Sequence, residues 1–250
     1  MGNAIQWVRS FVFVVQMYVM MAVLALFFTP WAIVDRRGAF AGVQTYCRWV
    51  RWTARWMVGL SSEVRGKVPD GSVMIAAKHQ SFFDIIMIVS VVPRPKFIMK
   101  RQLIWAPILG YYALRIGCVP VDRGKRGQAI QKMLADVERG HAEGGQLIIY
   151  PQGTRVAPEK KMPYKIGTAA LYAQLGQGCV PAATNVGVFW PRRGIFRKPG
   201  HAVVEFLPEI APGLSSGDFM DHLESTVEKA STILMEDAGF SVQTDKTGQN

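Results

Sequence analysis

Acidic residues are scarce in this sequence. Asp and Glu number 18 against 29 Lys and Arg, leaving a net charge of +11 and a pI near 9.8. Such an excess calls for an acidic partner: nucleic acid, an anionic membrane or a phosphorylated substrate. Cysteine is scarcer still. Cys47, Cys118 and Cys179 lie far apart and form no Cys-x-x-Cys, which excludes a disulfide framework or a zinc ribbon and fits buried thiols in a reducing compartment. His141, His201 and His222 have no partners at metal-ligand spacing, so no metal site is expected. There is no zinc-finger spacing, RNA-binding aromatic motif or long basic run, which argues against nucleic acid. No internal repeat is visible. What the chain has instead is apolar residues, 50% of the total, with a mean hydropathy of +0.14, so part of its surface is expected to meet lipid.

That apolar content is concentrated near the N-terminus. From Phe11 to Val34 the chain is uncharged and interrupted only by Gln16, Thr29 and Pro30. At about 1.5 Å per helical residue the run is long enough to cross a hydrocarbon core. It is too long for a signal peptide, its only preceding side-chain charge is Arg9, and no Ala-x-Ala site follows. A retained anchor is expected. After a turn at Asp35-Arg36-Arg37-Gly38, a second helix runs from about Phe40 to Leu60. Arg48, Arg51 and Arg55 share one of its faces, and Trp49, Trp52 and Trp56 share the adjacent one. Rings in the interface and guanidinium groups on phosphates describe a helix at the headgroup boundary. The pair reads either as a membrane-seated hairpin or as a span followed by an interfacial helix.

From about residue 63 short β runs alternate with helices. The strands are Val73–Ala77, Lys96–Met99, Cys118–Val121, Gln146–Tyr150, a run from Cys179, and His201–Leu207. The helices are Trp105–Arg115, Lys125–Arg139, Ile166–Leu175 and Asp218–Glu236. Alternation of this kind predicts an α/β fold with a layered, partly parallel sheet flanked by helices. The expected organisation is a two-helix membrane-anchoring element over 1–61, an α/β domain over 62–240, and a polar tail over 241–250.

Within that domain, Lys78-His79-Gln80-Ser81-Phe82-Phe83-Asp84 follows a charge-free strand and opens an apolar helix that Pro93 stops. Ser81 and Asp84 have the form of a capping box with Ser81 as N-cap, placing Asp84 in the first turn within reach of His79. A carboxylate that fixes the imidazole tautomer makes a general base suited to deprotonating a hydroxyl. Tyr150-Pro151-Gln152-Gly153-Thr154-Arg155 follows another buried strand on a tight turn, where glycine allows close backbone approach and arginine can fork a phosphate. Lys100 and Arg123 also follow strands. If those strands are parallel, His79, Lys100, Arg123 and Arg155 share the rim where ligands bind in open α/β sheets.

One rival motif is Gly213-Leu214-Ser215-Ser216-Gly217, which matches the Gly-x-Ser-x-Gly nucleophile pattern. Pro208 and Pro212 separate it from its strand, and the only later histidine is His222. Ser216 or Asp218 more simply caps the last helix. The basic loop Arg192–Lys198, with Ile195 and Phe196 inside it, reads equally as a solvated turn or a membrane contact.

Taken together, the blocks resemble the 1-acyl-glycerol-3-phosphate acyltransferase family over about residues 65–210. His79 to Asp84 resembles its His-x4-Asp block, with Lys78 where Asn is commonest. Gly117–Arg123 resembles the second block, Tyr150–Arg155 the Phe-Pro-Glu-Gly-Thr-Arg block, and Val180-Pro181 with the run to Trp190-Pro191 the fourth. Lys100 and Leu103 fit a Lys-x-Glu-Leu stretch, with Gln102 in place of Glu. Gln152, also in place of Glu, is the main departure. The resemblance implies acyl transfer from a thioester, acyl-CoA or acyl-carrier protein, to the hydroxyl of lysophosphatidate, with His79 and Asp84 as catalytic pair. Lys100, Arg123, Gly153, Thr154 and Arg155 would bind substrate, without metal or other cofactor. The arginines on both sides of the Asp35–Gly38 turn predict that the domain lies on the cytoplasmic face of the membrane. The readings set against the resemblance are a different lyso-lipid acceptor, a hydrolase using Ser215, and a non-catalytic lipid-binding membrane protein.

Overall fold

A computed structural model describes residues 2–121, 131, 134–135 and 144–241. Its centre is a seven-stranded sheet of β1 (Leu60–Arg65), β2 (Val73–Ala77), β3 (Pro95–Lys100), β4 (Val119–Val121), β5 (Gln146–Ile149), β6 (Cys179–Thr184) and β7 (Gly200–Phe206), in the order β1-β7-β6-β2-β5-β3-β4. All neighbouring pairs are parallel except β6 and β7. The partly parallel α/β sheet is therefore as expected. β2 sits in the middle with every residue buried, and for that reason it is apolar throughout rather than alternating.

Alternate residues of β2 serve two cores. Val73, Ile75 and Ala77 face a cluster with α2 (Arg36–Met57) and α3 (Phe83–Val89). Met74 and Ala76 face a second cluster with α5 (Gly167–Leu175) and α6 (Ser216–Asp237). The second helix, expected from about Phe40 to Leu60, lies earlier: α2 starts at Arg36 and ends at Met57, Leu60 opens β1, and the expected four-residue turn shrinks to Asp35. Its carboxylate accepts a hydrogen bond from Arg37 N at 2.8 Å and caps the helix. Gly38 permits this reversal, because a Cβ there would stand 2.6 Å from the backbone of Ala32.

The apolar N-terminal segment is one helix, α1 (Gly2–Val34), long and apolar enough to cross a membrane. It is docked at both ends. Gln6 Nε2 donates to the carbonyls of Val58 and Arg197, at 2.9 and 2.8 Å. At the other end Arg115, the last residue of α4 (Pro107–Arg115), donates to the carbonyls of Ala32 and Ile33. Between them Phe13 and Met17 enter the main core, while Trp7, Phe11, Tyr18, Leu26 and Phe27 stay exposed. The expected helix Lys125–Arg139 lies largely outside the described residues, as does most of the expected tail.

Candidate active site

β2, β3, β4 and β5 run parallel, so their C-terminal ends make one rim. His79 follows β2, Lys100 ends β3, and Gly153, Thr154 and Arg155 follow β5. The shared rim expected for His79, Lys100 and Arg155 is formed. Arg123 lies outside the described residues.

At the centre of the rim His79 Nδ1 is 2.9 Å from Asp84 Oδ1. The other carboxylate oxygen accepts from Gln80 N at 2.8 Å and Ser81 N at 2.7 Å. Asp84 is completely buried, and these three donors compensate its charge. As an acceptor, the carboxylate fixes the proton of neutral His79 on Nδ1 and leaves Nε2 with its lone pair. The imidazole is 12% exposed, so its other nitrogen is accessible from the rim.

The capping box is half of what the spacing predicts. Asp84 reaches back to Ser81 N, but α3 begins at Phe83, and Ser81 Oγ accepts from Phe83 N at 3.2 Å. The amides of Gln80, Ser81 and Phe83 are thereby committed to side chains, which removes them as stabilisers of a developing oxyanion.

Three supports were invisible in the motif itself. The Tyr150 ring stacks on His79, with centroids 3.9 Å apart and planes 21° from parallel. Its hydroxyl is buried without a partner, and burial, followed by the charge of Asp84, holds the phenol protonated far above its ordinary range. Val156 N donates to the carbonyl of His79 at 2.7 Å, tying the Gly153 turn to the histidine. Lys78, 3% exposed, forms an ion pair with Glu228 of α6, and Tyr164 Oη donates to the same carboxylate at 3.0 Å.

The glycine turn is compact. Gly153 has φ +68°, and a Cβ there would meet Lys165 at 3.0 Å. Arg155 Nη1 donates to Arg192 O at 3.2 Å, and Arg192 Nη2 donates to Thr154 Oγ1 at 3.3 Å. The basic 192–198 loop thus packs against the turn, a role that its sequence did not signal. Gln152 is buried. Its amide nitrogen donates to Met162 O at 3.3 Å while its oxygen has no partner.

Ser215 is the N-cap of α6, accepting from Asp218 N and donating to Asp218 Oδ2 at 2.7 Å. The cap is therefore Ser215, rather than Ser216 or Asp218. Its partner is an aspartate on an exposed helix end, and among the described residues no histidine hydrogen-bonds to Ser215.

Known proteins share parts of this sequence and its fold. The chain is 28% identical over 160 residues to the 1-acyl-sn-glycerol-3-phosphate acyltransferase of Pseudomonas aeruginosa, covering 63% of this chain and 62% of that protein. It is 27% identical over 190 residues to the alpha form of the enzyme from Mus musculus, covering 73% and 67%. The chain thus spans about two thirds or less of these relatives' lengths. The crystal structure of the 1-acyl-sn-glycerophosphate acyltransferase of Thermotoga maritima superposes with a TM-score of 0.75 at 18% identity, covering 94% of this chain and 99% of that one. The fold is therefore shared. The family model described as Acyltransferase matches residues 61–185, half of the chain, taking in the His79–Asp84 pair and the Gly153 turn. The chain belongs to the acyltransferase family.

Proposed function

We propose that the protein transfers a fatty acyl group from a thioester to the sn-2 hydroxyl of 1-acyl-glycerol-3-phosphate, giving phosphatidic acid. The observation that carries this reading is the buried Asp84 fixing Nδ1 of His79, which leaves Nε2 as a base at the sheet rim. Nε2 takes the proton of the acceptor hydroxyl as its oxygen attacks the thioester carbonyl. Asp84 supports the imidazolium so formed. Collapse of the tetrahedral intermediate breaks the carbon–sulfur bond, and the imidazolium proton neutralises the departing thiolate. Lys100, Arg123 and Arg155 hold the acceptor phosphate; Gly153 and Thr154 shape the turn that carries Arg155.

No metal or other cofactor enters this scheme, and the donor is acyl-CoA or acyl-carrier protein. The site works at a membrane, on its cytoplasmic face. Exposed Leu26 and Phe27 of α1 and exposed Trp105, Leu109 and Leu114 around α4 supply an apolar surface for that seating. Both ends of α1 are hydrogen-bonded to the rest of the chain, which supports a helix seated along the bilayer face.

The test is thioester consumption by the purified full-length chain, with lysophosphatidate, glycerol-3-phosphate and other lyso-lipids offered side by side. Lysophosphatidate should be acylated, and His79→Ala should lose about 10²–10⁴-fold or more of the rate. Failure to consume thioester with lysophosphatidate, or full activity of His79→Ala, would overturn the proposal.

A further inference from the structure

At the edge of the sheet, an open cleft of about 670 Å³ lies between α2 and the edge strand β1. One wall is Arg48, Arg51, Trp52 and Arg55; the other is Ser61, Ser62, Glu63 and His201. β1 stands three strands from β2 in the sheet order, about 14 Å from it at the usual strand spacing. The cleft is thus separate from the His79 rim.

Its charge is lopsided. Among the described residues Glu63 is the only carboxylate lining it, and its Oε2 is engaged by His201 Nε2 and Arg65 Nε, each at 3.0 Å. Among the described residues neither Arg48, Arg51 nor Arg55 pairs with a carboxylate. Arg51 is fixed in place, donating from Nε to Ser62 Oγ at 2.9 Å, from Nη1 to Ser90 Oγ at 2.8 Å and from Nη2 to Ser62 O at 3.2 Å. Arg48 uses only Nε, towards Ser90 O at 3.4 Å. A fixed guanidinium flanked by two others on one helix face is a preorganised anion receptor.

The surroundings identify the source of the anion. Trp52 lines the cleft and packs with Trp56, and both rings are more than half exposed. The C-terminal end of α2 is held against α1, with Arg9 donating to the carbonyls of Met57 and Trp56. Arginines beside exposed tryptophans and an apolar helix mark headgroup depth. A cleft of this volume also takes a phosphodiester with its glycerol, more than a lone phosphate. We infer that this cleft binds the headgroup of an anionic phospholipid, as a site independent of the acyl-transfer centre.

The test uses the full-length chain in micelles of a neutral maltoside detergent. Calorimetry would measure binding of dihexanoyl-phosphatidylglycerol, of its phosphatidylcholine and phosphatidylethanolamine counterparts, and of inorganic phosphate. Arg155→Ala serves as the background, so that binding at the proposed acceptor site is weakened, and the comparison is between cleft variants in that background. The anionic lipid should bind at least about tenfold more tightly than either zwitterion, a preference that weakens with salt. Arg48→Gln/Arg55→Gln should bring the lipids to within about twofold, and Arg48→Lys/Arg55→Lys should retain most of the preference. Both positions are exposed, and unchanged thermal unfolding would show that the variants are folded. An undiminished preference in the Gln pair would overturn the inference. So would equal binding of the ethanolamine lipid, or phosphate binding as tightly as the anionic lipid. None of these outcomes bears on whether His79 and Asp84 transfer an acyl group.

Discussion

Asp84 accepts from His79 on one oxygen and from two backbone amides on the other, and an asparagine cannot satisfy both sides. If its carbonyl keeps the amides, its NH2 donates to Nδ1, and the imidazole proton moves to Nε2, where the base is needed. Asp84→Asn should therefore be folded yet about 10²–10⁴-fold slower, as seen in single-turnover rates. Tyr150 separates ring from hydroxyl. Because the hydroxyl is buried without a partner, Tyr150→Phe should leave the rate unchanged and cost no stability. Tyr150→Leu, which removes the stacked ring, should slow turnover with little change in acceptor KM. On the rim, Arg155→Ala should raise the acceptor KM, and Arg155→Lys should raise it less, because a lysine keeps the charge without the fork. Saturation curves in lysophosphatidate at fixed donor measure both. The His79–Asp84 pair was legible because its members are five residues apart and their contact is local. Tyr150 was legible only as part of a motif, since stacking depends on β2 and β5 being neighbours.

At the scale of elements, the Lys78–Glu228 pair joins the residue before the histidine to α6. Glu228→Ala should destabilise the protein by about 2–4 kcal/mol, somewhat below the cost for a fully buried pair, because Glu228 remains about a third exposed. Denaturant titration measures this, and Glu228→Gln should recover part of the loss through Tyr164. This link spans 150 positions, and no sequence pattern announces it. The strands themselves were legible from apolar runs between turn residues, and their parallel core from the intervening helices. Their order was not, because pairing is decided by which faces bury together. The antiparallel return of β7 onto β6 is an example: it brings Val204 beside Thr184, a fit set by the completed core. The α2 start was misplaced because Arg36-Arg37-Gly38 has turn composition, whereas the Asp35 cap and the close approach of Gly38 to α1 let the helix begin there.

For the whole molecule, residues 1–61 are more than a removable anchor. Phe13, Met17, Val50, Ala54, Val58 and Leu60 share the main core with β2 and α3. A chain lacking 1–61 should aggregate rather than dissolve, as sedimentation after expression would show; a monomeric, cooperatively unfolding truncated domain would contradict this. The buried thiols give a pH dependence. Burial raises Cys118 and Cys179 from an ordinary value of 9.0 to about 12. Their contribution to stability is complete below about pH 9 and is lost as the pH rises through 12, because only the unfolded chain ionises readily. Unfolding temperature should fall across that interval, and less steeply in Cys179→Ala. At pH 8 the native protein should resist thiol reagents.

The clasp between Gln6 and Arg197, 191 positions apart, has a consequence for biosynthesis. At roughly 5–20 residues per second, the ribosome reaches Arg197 on the order of ten seconds or more after Gln6 is made. Through most of that interval α1 is complete without the carbonyl that will fasten it, its apolar face open to whatever receives a nascent chain. Any capture of α1 by a membrane would therefore come before the clasp closes, an order set by the distance between two residues.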